Sequence, residues 1–206
     1  MIFIRYESYK SYLRYYPFTS LLLLANLVMF LIVTFDGGSN NVYAQLKYGA
    51  LAVVEPFKSE WWRYFASMFL HGGLEHLFFN SFALLVIAPP LERILGSIRY
   101  AVLYLLSGVM GNVLSVSYYV QSSSDVIWLV GASGAIYGVY GGLLYIALFQ
   151  QNKMDESSKK TLYTLLIMGA VFSFMPGIGW MAHFGGAITG FFIYGLMLRL
   201  FKGSRM

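Results

Sequence analysis

Three short stretches carry side chains able to do nucleophilic and acid–base chemistry. "GASGAIYG" places Ser133 among small residues inside an apolar run, and "AHFGGAITG" places His183 inside another. A serine hydroxyl is a weak nucleophile until a neighbouring base takes its proton, and a histidine can be that base. "HGGLEHLFFN" adds His71, His76 and Asn80. His76 and Asn80 stand four positions apart, so they share one helix face. Both can donate hydrogen bonds to the oxyanion that forms when a nucleophile attacks an amide carbonyl. The backbone N–H of Ser133, near a helix start, is a third candidate donor.

Other chemistries fit poorly. Cysteine is absent, which removes thiol nucleophiles and disulfides. No acidic residue inside the apolar runs is placed to complete a triad, and Glu92 and Asp125 stand at their ends. A Ser–His dyad is the economical reading. Glu75 precedes His76, but the second histidine of an HExxH zinc motif is missing. His71 and His76 are five apart, off one helical face, so no metal is expected. Each residue alone has a plainer reading: Ser133 and Asn80 as interhelical hydrogen bonds, the histidines as satisfied core or interfacial groups. Their joint placement near one depth favours chemistry.

The elements that must position them are membrane helices. The 206 residues are 58% hydrophobic and 11% charged, against about 25% charged in a soluble domain. Six apolar runs approach the ~20 residues that a spanning helix needs. They cover 17–35, 74–91, 98–120, 131–149, 160–176 and 181–200. Polar groups within such runs are costly and are candidates for function. The pattern predicts an all-α membrane protein, a polytopic bundle of six transmembrane helices, forming one domain over 1–206. It has an N-terminal segment over about 1–16, an outer loop over about 36–73 and a tail over about 201–206. The 36–73 segment is too polar and broken to span, its Trp61 and Trp62 suit a membrane interface, and 36–60 receives no assignment. The first apolar run ends without a small-x-small cleavage site, so it reads as a retained span.

Charge sets the orientation. Six spans place both termini on one side, with Arg5, Lys10, Arg14, Arg93, Arg99, Lys153, Lys159, Lys160, Arg199, Lys202 and Arg205. The other side holds Lys47, Lys58 and Arg63. Both termini are therefore expected in the cytoplasm. The net charge of +5 belongs to these helix ends, and no nucleic-acid partner is expected.

Small residues are predicted to bring the serine to the histidine. Gly134, Gly138 and Gly142 form one stripe, and Ala182, Gly186 and Gly190 another, of the kind that lets helix backbones approach closely. Ser133 lies 17 residues from Gln150 and His183 lies 16 from Arg199, about 25 and 24 Å of helix. The two side chains should sit at similar depth, a little below the outer surface. Tyr137, one turn below Ser133, can pack on the His183 imidazole.

As a set, these motifs resemble the rhomboid intramembrane serine proteases. The Trp-Arg pair of the family's first outer loop matches Trp62 and Arg63, and its His, His and Asn match His71, His76 and Asn80. Its ExxxG matches Glu92 and Gly96, and its GxSG matches Gly131, Ser133 and Gly134. The aromatic one turn on matches Tyr137, and AHxxGxxxG matches His183, Gly186 and Gly190. The resemblance implies a serine endopeptidase with Ser133 as nucleophile, His183 as base, and His76 and Asn80 at the oxyanion. It implies cleavage of transmembrane segments of other membrane proteins near the outer face, within the lipid bilayer and without a cofactor. It further implies a water-filled cavity open to the outer side, a fifth span acting as lateral gate, and an outer loop around Trp62 and Arg63 that braces the bundle. The chain is similar to the compact bacterial form, a multi-pass protein of the plasma membrane. A non-catalytic binder of membrane segments is the alternative.

Overall fold

A computed structural model describes residues 2–4, 6–122 and 128–201. Arg5, Asp125, Lys202 and Arg205 of the inventories above lie outside the described residues. The described residues form nine α-helices in chain order. A short α1 (Tyr9–Tyr15) precedes α2 (Pro17–Phe35), and α3 (Val42–Lys47) and α4 (Arg63–Ala66) lie in the segment that follows. Then come α5 (Leu74–Leu95), α6 (Ser97–Gln121), α7 (Ser133–Phe149), α8 (Glu156–Ser173) and α9 (Trp180–Leu200). Helices α2, α5, α6 and α9 are each long and apolar enough to cross a membrane. Helix α7 is apolar but has 17 residues, and α8 opens on a charged turn. The chain is a multi-pass, predominantly helical membrane protein.

Helix ends depart from the hydropathy limits where local chemistry decides them. Helix α5 continues past 91 to Leu95, with Pro89 and Pro90 inside it. Helix α8 starts at Glu156 rather than 160, because the Asp155 carboxylate accepts from Ser158 N at 3.1 Å and Ser158 Oγ at 2.7 Å. That cap supplies an N-terminal acceptor, which apolar periodicity does not register. The Ser158 hydroxyl, followed by its backbone N–H, draws the Asp155 carboxyl down to about 2. The fold is also not wholly helical. Strand β1 (Leu51–Ala52) pairs antiparallel with β2 (Trp128–Leu129), Leu51 opposite Leu129, and so ties the segment between α2 and α5 to the chain entering α7.

Arg63 organises the segment between α2 and α5. Its guanidinium donates to Leu46 O (2.6 Å) and Ala50 O (3.0 Å), pairs with Glu60, and lies over the Phe57 and Trp62 rings. Trp62 packs on Gly49, whereas Trp61 is 82% exposed.

At the opposite end of the bundle, Glu92 is buried at 1% exposure and joins three helices. Its carboxylate accepts from Phe18 N and Thr19 N (both 2.9 Å), from Thr19 Oγ1 (2.6 Å) and from Ser97 Oγ (2.6 Å). The first two donors are N–H groups at the start of α2 that no helix bond satisfies, and the negative charge meets the positive end of the helix dipole. Gly96, at φ +76°, makes the turn from α5 to α6 in a conformation that side chains disfavour.

Between these ends the helices pack by size. Tyr100, Tyr104, Tyr194, Leu91, Leu103, Leu143 and Ile146 are fully buried and fill the half of the bundle nearest Glu92. Towards the other half, α7 and α9 meet backbone to backbone. A Cβ on Gly186 would lie 1.9 Å from Gly134 O, and one on Gly190 would lie 2.0 Å from Gly138 O. The expected third member of the α7 stripe is corrected: Gly142 faces Leu91 and Leu103, and Gly141 faces Ala187 O of α9 instead. Each step of four residues rotates about 40° beyond a full turn, so two such steps from Gly134 leave the contact face, while a four and a three stay on it.

Removing the Glu92 acceptor should unseat α2. Glu92→Ala leaves two N–H groups and two hydroxyls without their acceptor, and a loss of roughly 2–3 kcal/mol is expected. A chemical unfolding titration in detergent reads it as a lower midpoint, and an unchanged midpoint would show that water replaces the carboxylate.

Candidate active site

Ser133 is the first residue of α7, and His183 is the fourth of α9. The glycine contacts of α7 with α9 hold the two starts side by side. Ser133 Oγ lies 2.8 Å from His183 Nε2, a hydrogen bond between residues 50 apart in sequence. His183 is 9% exposed. The ring of Tyr137 lies flat against the imidazole, with centroids 4.3 Å apart and planes within 5° of parallel.

His76 approaches Ser133 from α5. A Cβ on Gly131 would lie 2.6 Å from His76 Nε2 and 3.8 Å from Ser133 Oγ. Gly131 also sits at φ +121°, so its missing side chain serves both the backbone turn and the space His76 occupies. Gly131 N donates to Ser67 O at 2.9 Å, and Asn112 Nδ2 reaches Ser67 Oγ at 3.0 Å and Tyr64 O at 2.8 Å. The segment between α2 and α5 is thereby fastened to α6 and to the residues entering α7. Asn80 is buried, and its Nδ2 donates to His76 O at 2.9 Å, one turn back on its own helix. His71 is buried edge-on to His76 with ring centroids 5.2 Å apart, and its carbonyl accepts from Gln45 Nε2.

The structure thus brings Ser133, His183, Tyr137, His76 and Gly131 together, with Asn80 one turn beyond His76 and His71 behind it. Gly134, Gly186 and Gly190 line the helix contact that holds the pair. Trp62 and Arg63 belong to the segment between α2 and α5, away from the pair, and Glu92 lies 16 residues along α5 from His76, about 24 Å of helix. No cluster of histidine and carboxylate groups suited to a metal occurs among the described residues.

One contact of the imidazole is absent from the sequence-based inventory. Ser173, the last residue of α8, places Oγ 2.7 Å from His183 Nδ1. The same oxygen lies 3.0 Å from Tyr137 Oη and donates to Gly169 O at 2.8 Å. The signal was present: Ser173 is the one polar side chain of α8 beyond Thr164.

The rhomboid domain model matches residues 58–200, more than half of the chain and all of the site above. The chain belongs to the rhomboid family. It is 34% identical over 193 residues to YdcA of Bacillus subtilis, covering 93% of this chain and 94% of that protein. It is 34% identical over 176 residues to the rhomboid protease GluP of the same organism, covering 85% of this chain and 34% of GluP. The rhomboid protease AarA of Providencia stuartii is 36% identical over 152 residues, 64% of this chain and 54% of AarA. As a member of the family, this rhomboid is a hydrolase of the serine endopeptidase class.

The Gly131 geometry gives a direct test of site order. Gly131→Ala drives a methyl into His76 and forces a disfavoured backbone angle. Its fluorophosphonate labelling should slow by up to about 100-fold, the loss that a displacement of about 1 Å can cause. Gly72→Ala, whose Cβ meets nothing closer than 3.9 Å, should label as wild type. Equal labelling of both variants would remove Gly131 from the site.

Proposed function

We propose that this rhomboid hydrolyses peptide bonds in transmembrane segments of other membrane proteins, near the outer face of the bilayer, with Ser133 as nucleophile and His183 as general base. The observation that carries this reading is the 2.8 Å bond from Ser133 Oγ to His183 Nε2 where α7 and α9 meet, under the Tyr137 ring. Ser133 Oγ attacks the scissile carbonyl as its proton passes to His183 Nε2. The tetrahedral intermediate collapses when that proton is delivered to the leaving nitrogen, giving an acyl-enzyme. Water, activated by the same nitrogen, releases the acyl group. The developing oxyanion meets donors from His76, Asn80 and the Ser133 N–H, the last lacking an intrahelical partner because Ser133 opens its helix. Asn80 has a second amide hydrogen beyond the one given to His76 O, and that hydrogen is the one it can offer to the oxyanion.

In this reading the six long helices all span, the whole chain is one domain, and both termini are cytoplasmic in a plasma membrane. Helix α7 is about 25 Å long against a hydrocarbon core of about 30 Å. Ser133 therefore stands a few ångströms below the outer surface, reached by water from above. A substrate helix must unwind locally before its carbonyl can meet Ser133, because helical amides are engaged in their own bonds. The fifth span, α8, is the side on which such a segment can enter. Between Leu162 and Ser173 it buries no residue.

Fluorophosphonate labelling of the purified protein tests the assignment. Wild type is expected to label, with Ser133→Ala and His183→Ala silent yet folded. His76→Ala and Asn80→Ala should each slow labelling by about 10- to 1,000-fold, the range for an oxyanion donor. Labelling that survives Ser133→Ala would sink the nucleophile assignment, and a folded wild type that never labels would point to a binder of membrane segments instead.

A further inference from the structure

Ser173 is the only buried residue of α8 beyond Leu162, and it is spent on an imidazole of another helix. We propose that Ser173 is a positioning residue of the reaction, holding His183 in the tautomer whose Nε2 can accept the Ser133 proton. The inference rests on the reading above that Ser133 and His183 are the reacting pair.

The argument is one of proton inventory. A hydroxyl has a single proton to give and two acceptor sites. Gly169 O can only accept, and at 2.8 Å it takes the Ser173 proton. The two other groups at Ser173 Oγ, His183 Nδ1 at 2.7 Å and Tyr137 Oη at 3.0 Å, must then both donate. With its proton on Nδ1, the neutral imidazole presents a lone pair at Nε2, 2.8 Å from Ser133 Oγ. Ser133 consequently donates to the base, which is the direction attack requires. The other tautomer would set the Nδ1 lone pair against a Ser173 oxygen with no proton left, and would turn an N–H towards the nucleophile.

The surroundings enforce this arrangement. Tyr137 both stacks under the imidazole and donates to Ser173, so it restrains the ring and its orienter together. Gly169 leaves the room: a Cβ there would lie 2.6 Å from Tyr137 Oη. A serine bonding back to the carbonyl four residues earlier is ordinary helix behaviour. Reaching an imidazole across a helix interface with the same oxygen is not explained by that habit. When His183 takes the Ser133 proton, the imidazolium keeps its Nδ1–H bond to Ser173, and no proton moves to Ser173.

The nucleophile, base and orienter thus come from α7, α9 and α8. Because Ser173 is the α8 side chain that bonds His183, the tautomer of His183 depends on how α8 is seated. Separating Ser173 from Nδ1 beyond about 3.5 Å would release the ring to either tautomer.

The chain has only three histidines, so the full-length protein labelled with ring 15N histidine in detergent can be read directly by NMR, with the His183 signals assigned by their loss in His183→Ala. Wild type is expected to show a protonated Nδ1 and an acceptor-type Nε2. In Ser173→Ala the His183 signals should move towards a tautomer mixture. Its fluorophosphonate labelling at saturation should slow roughly 10- to 100-fold, less than the ~10⁴-fold lost when a charged orienter is neutralised in a hydrolase triad. The half-saturating concentration should stay put, and Ser173→Thr, which keeps the hydroxyl, should recover most of the rate and the wild-type spectrum. Wild-type labelling of Ser173→Ala, or slowed labelling with an unchanged tautomer, overturns the positioning role while leaving the Ser133–His183 pair standing. Wild-type protein that does not label at Ser133 overturns both readings.

Discussion

Everything at the site depends on how closely α7 and α9 approach. Lipid is as apolar as leucine, so no hydrophobic force presses membrane helices together. Close contact and hydrogen bonding must do it. Here the contact is carried by Gly134 against Gly186, Gly138 against Gly190, and Gly141 against Ala187 and Phe191. At each, an added methyl would overlap a backbone atom of the facing helix or press tightly on it. A single side chain in that seam would wedge the helix starts apart, and a hydrogen bond of 2.8 Å between Ser133 and His183 has no slack to absorb it. Ser107 of α6 presses on the outer side of Gly138 in the same way, so the third helix is locked to the same seam.

The two ends of the bundle are stabilised differently. Around Glu92 the chain uses a buried carboxylate whose oxygens take four hydrogen bonds, beside a layer of buried tyrosine and leucine. Around Ser133 it uses polar side chains and a brace of irregular chain. Arg63 folds the segment between α2 and α5 onto its own carbonyls, and Ser67 relays that order to Gly131 through a backbone bond. Arg63 therefore acts on the candidate site through the chain it orders, which reaches Gly131 by way of Ser67 and His71 by way of Gln45. The polar end holds the Ser133–His183 pair, and the end around Glu92 carries the apolar core.

Features set by local composition were legible in the sequence. Helix α2 occupies the very residues of the first apolar run, and the motif residues on α5, α7 and α9 converge as their spacing suggested. Features set by contacts between distant residues were not. The 36–60 segment takes its shape from a guanidinium at 63 bonded to carbonyls at 46 and 50, and from β1 pairing with residues near 129. Neither leaves a periodic trace. Gly142 was assigned to the seam by a regular count of four, which the 3.6-residue turn does not follow. Ser173 met the criterion applied to Ser133, a polar group in an apolar run, but its partners lie on its own helix, on α7 and on α9, and one-dimensional spacing does not display such a junction. Asn112 was missed for the same reason, since what it holds, Ser67 and Tyr64, is more than 40 residues away.

Among the described residues no carboxylate stands behind His183, and this follows from where the site stands. A charged group brought close to lipid carries a desolvation cost that is recovered only when it is fully paired, and between turnovers a neutral imidazole would not pair it. Glu92 shows what this chain requires to bury such a charge: four donors on two neighbouring helices. A serine hydroxyl accepts the Nδ1 proton without that cost, and its remaining valences are filled by Gly169 O and Tyr137 Oη. What it gives up is the Coulombic stabilisation of the imidazolium. The Tyr137 face, 4.3 Å from the imidazole centroid, supplies part of that in return, because the negative face of an aromatic ring attracts a cation laid against it. The proposed catalytic base is thus held by one neutral hydrogen bond and one ring face, a pairing suited to a group that is uncharged at rest and charged only in passing.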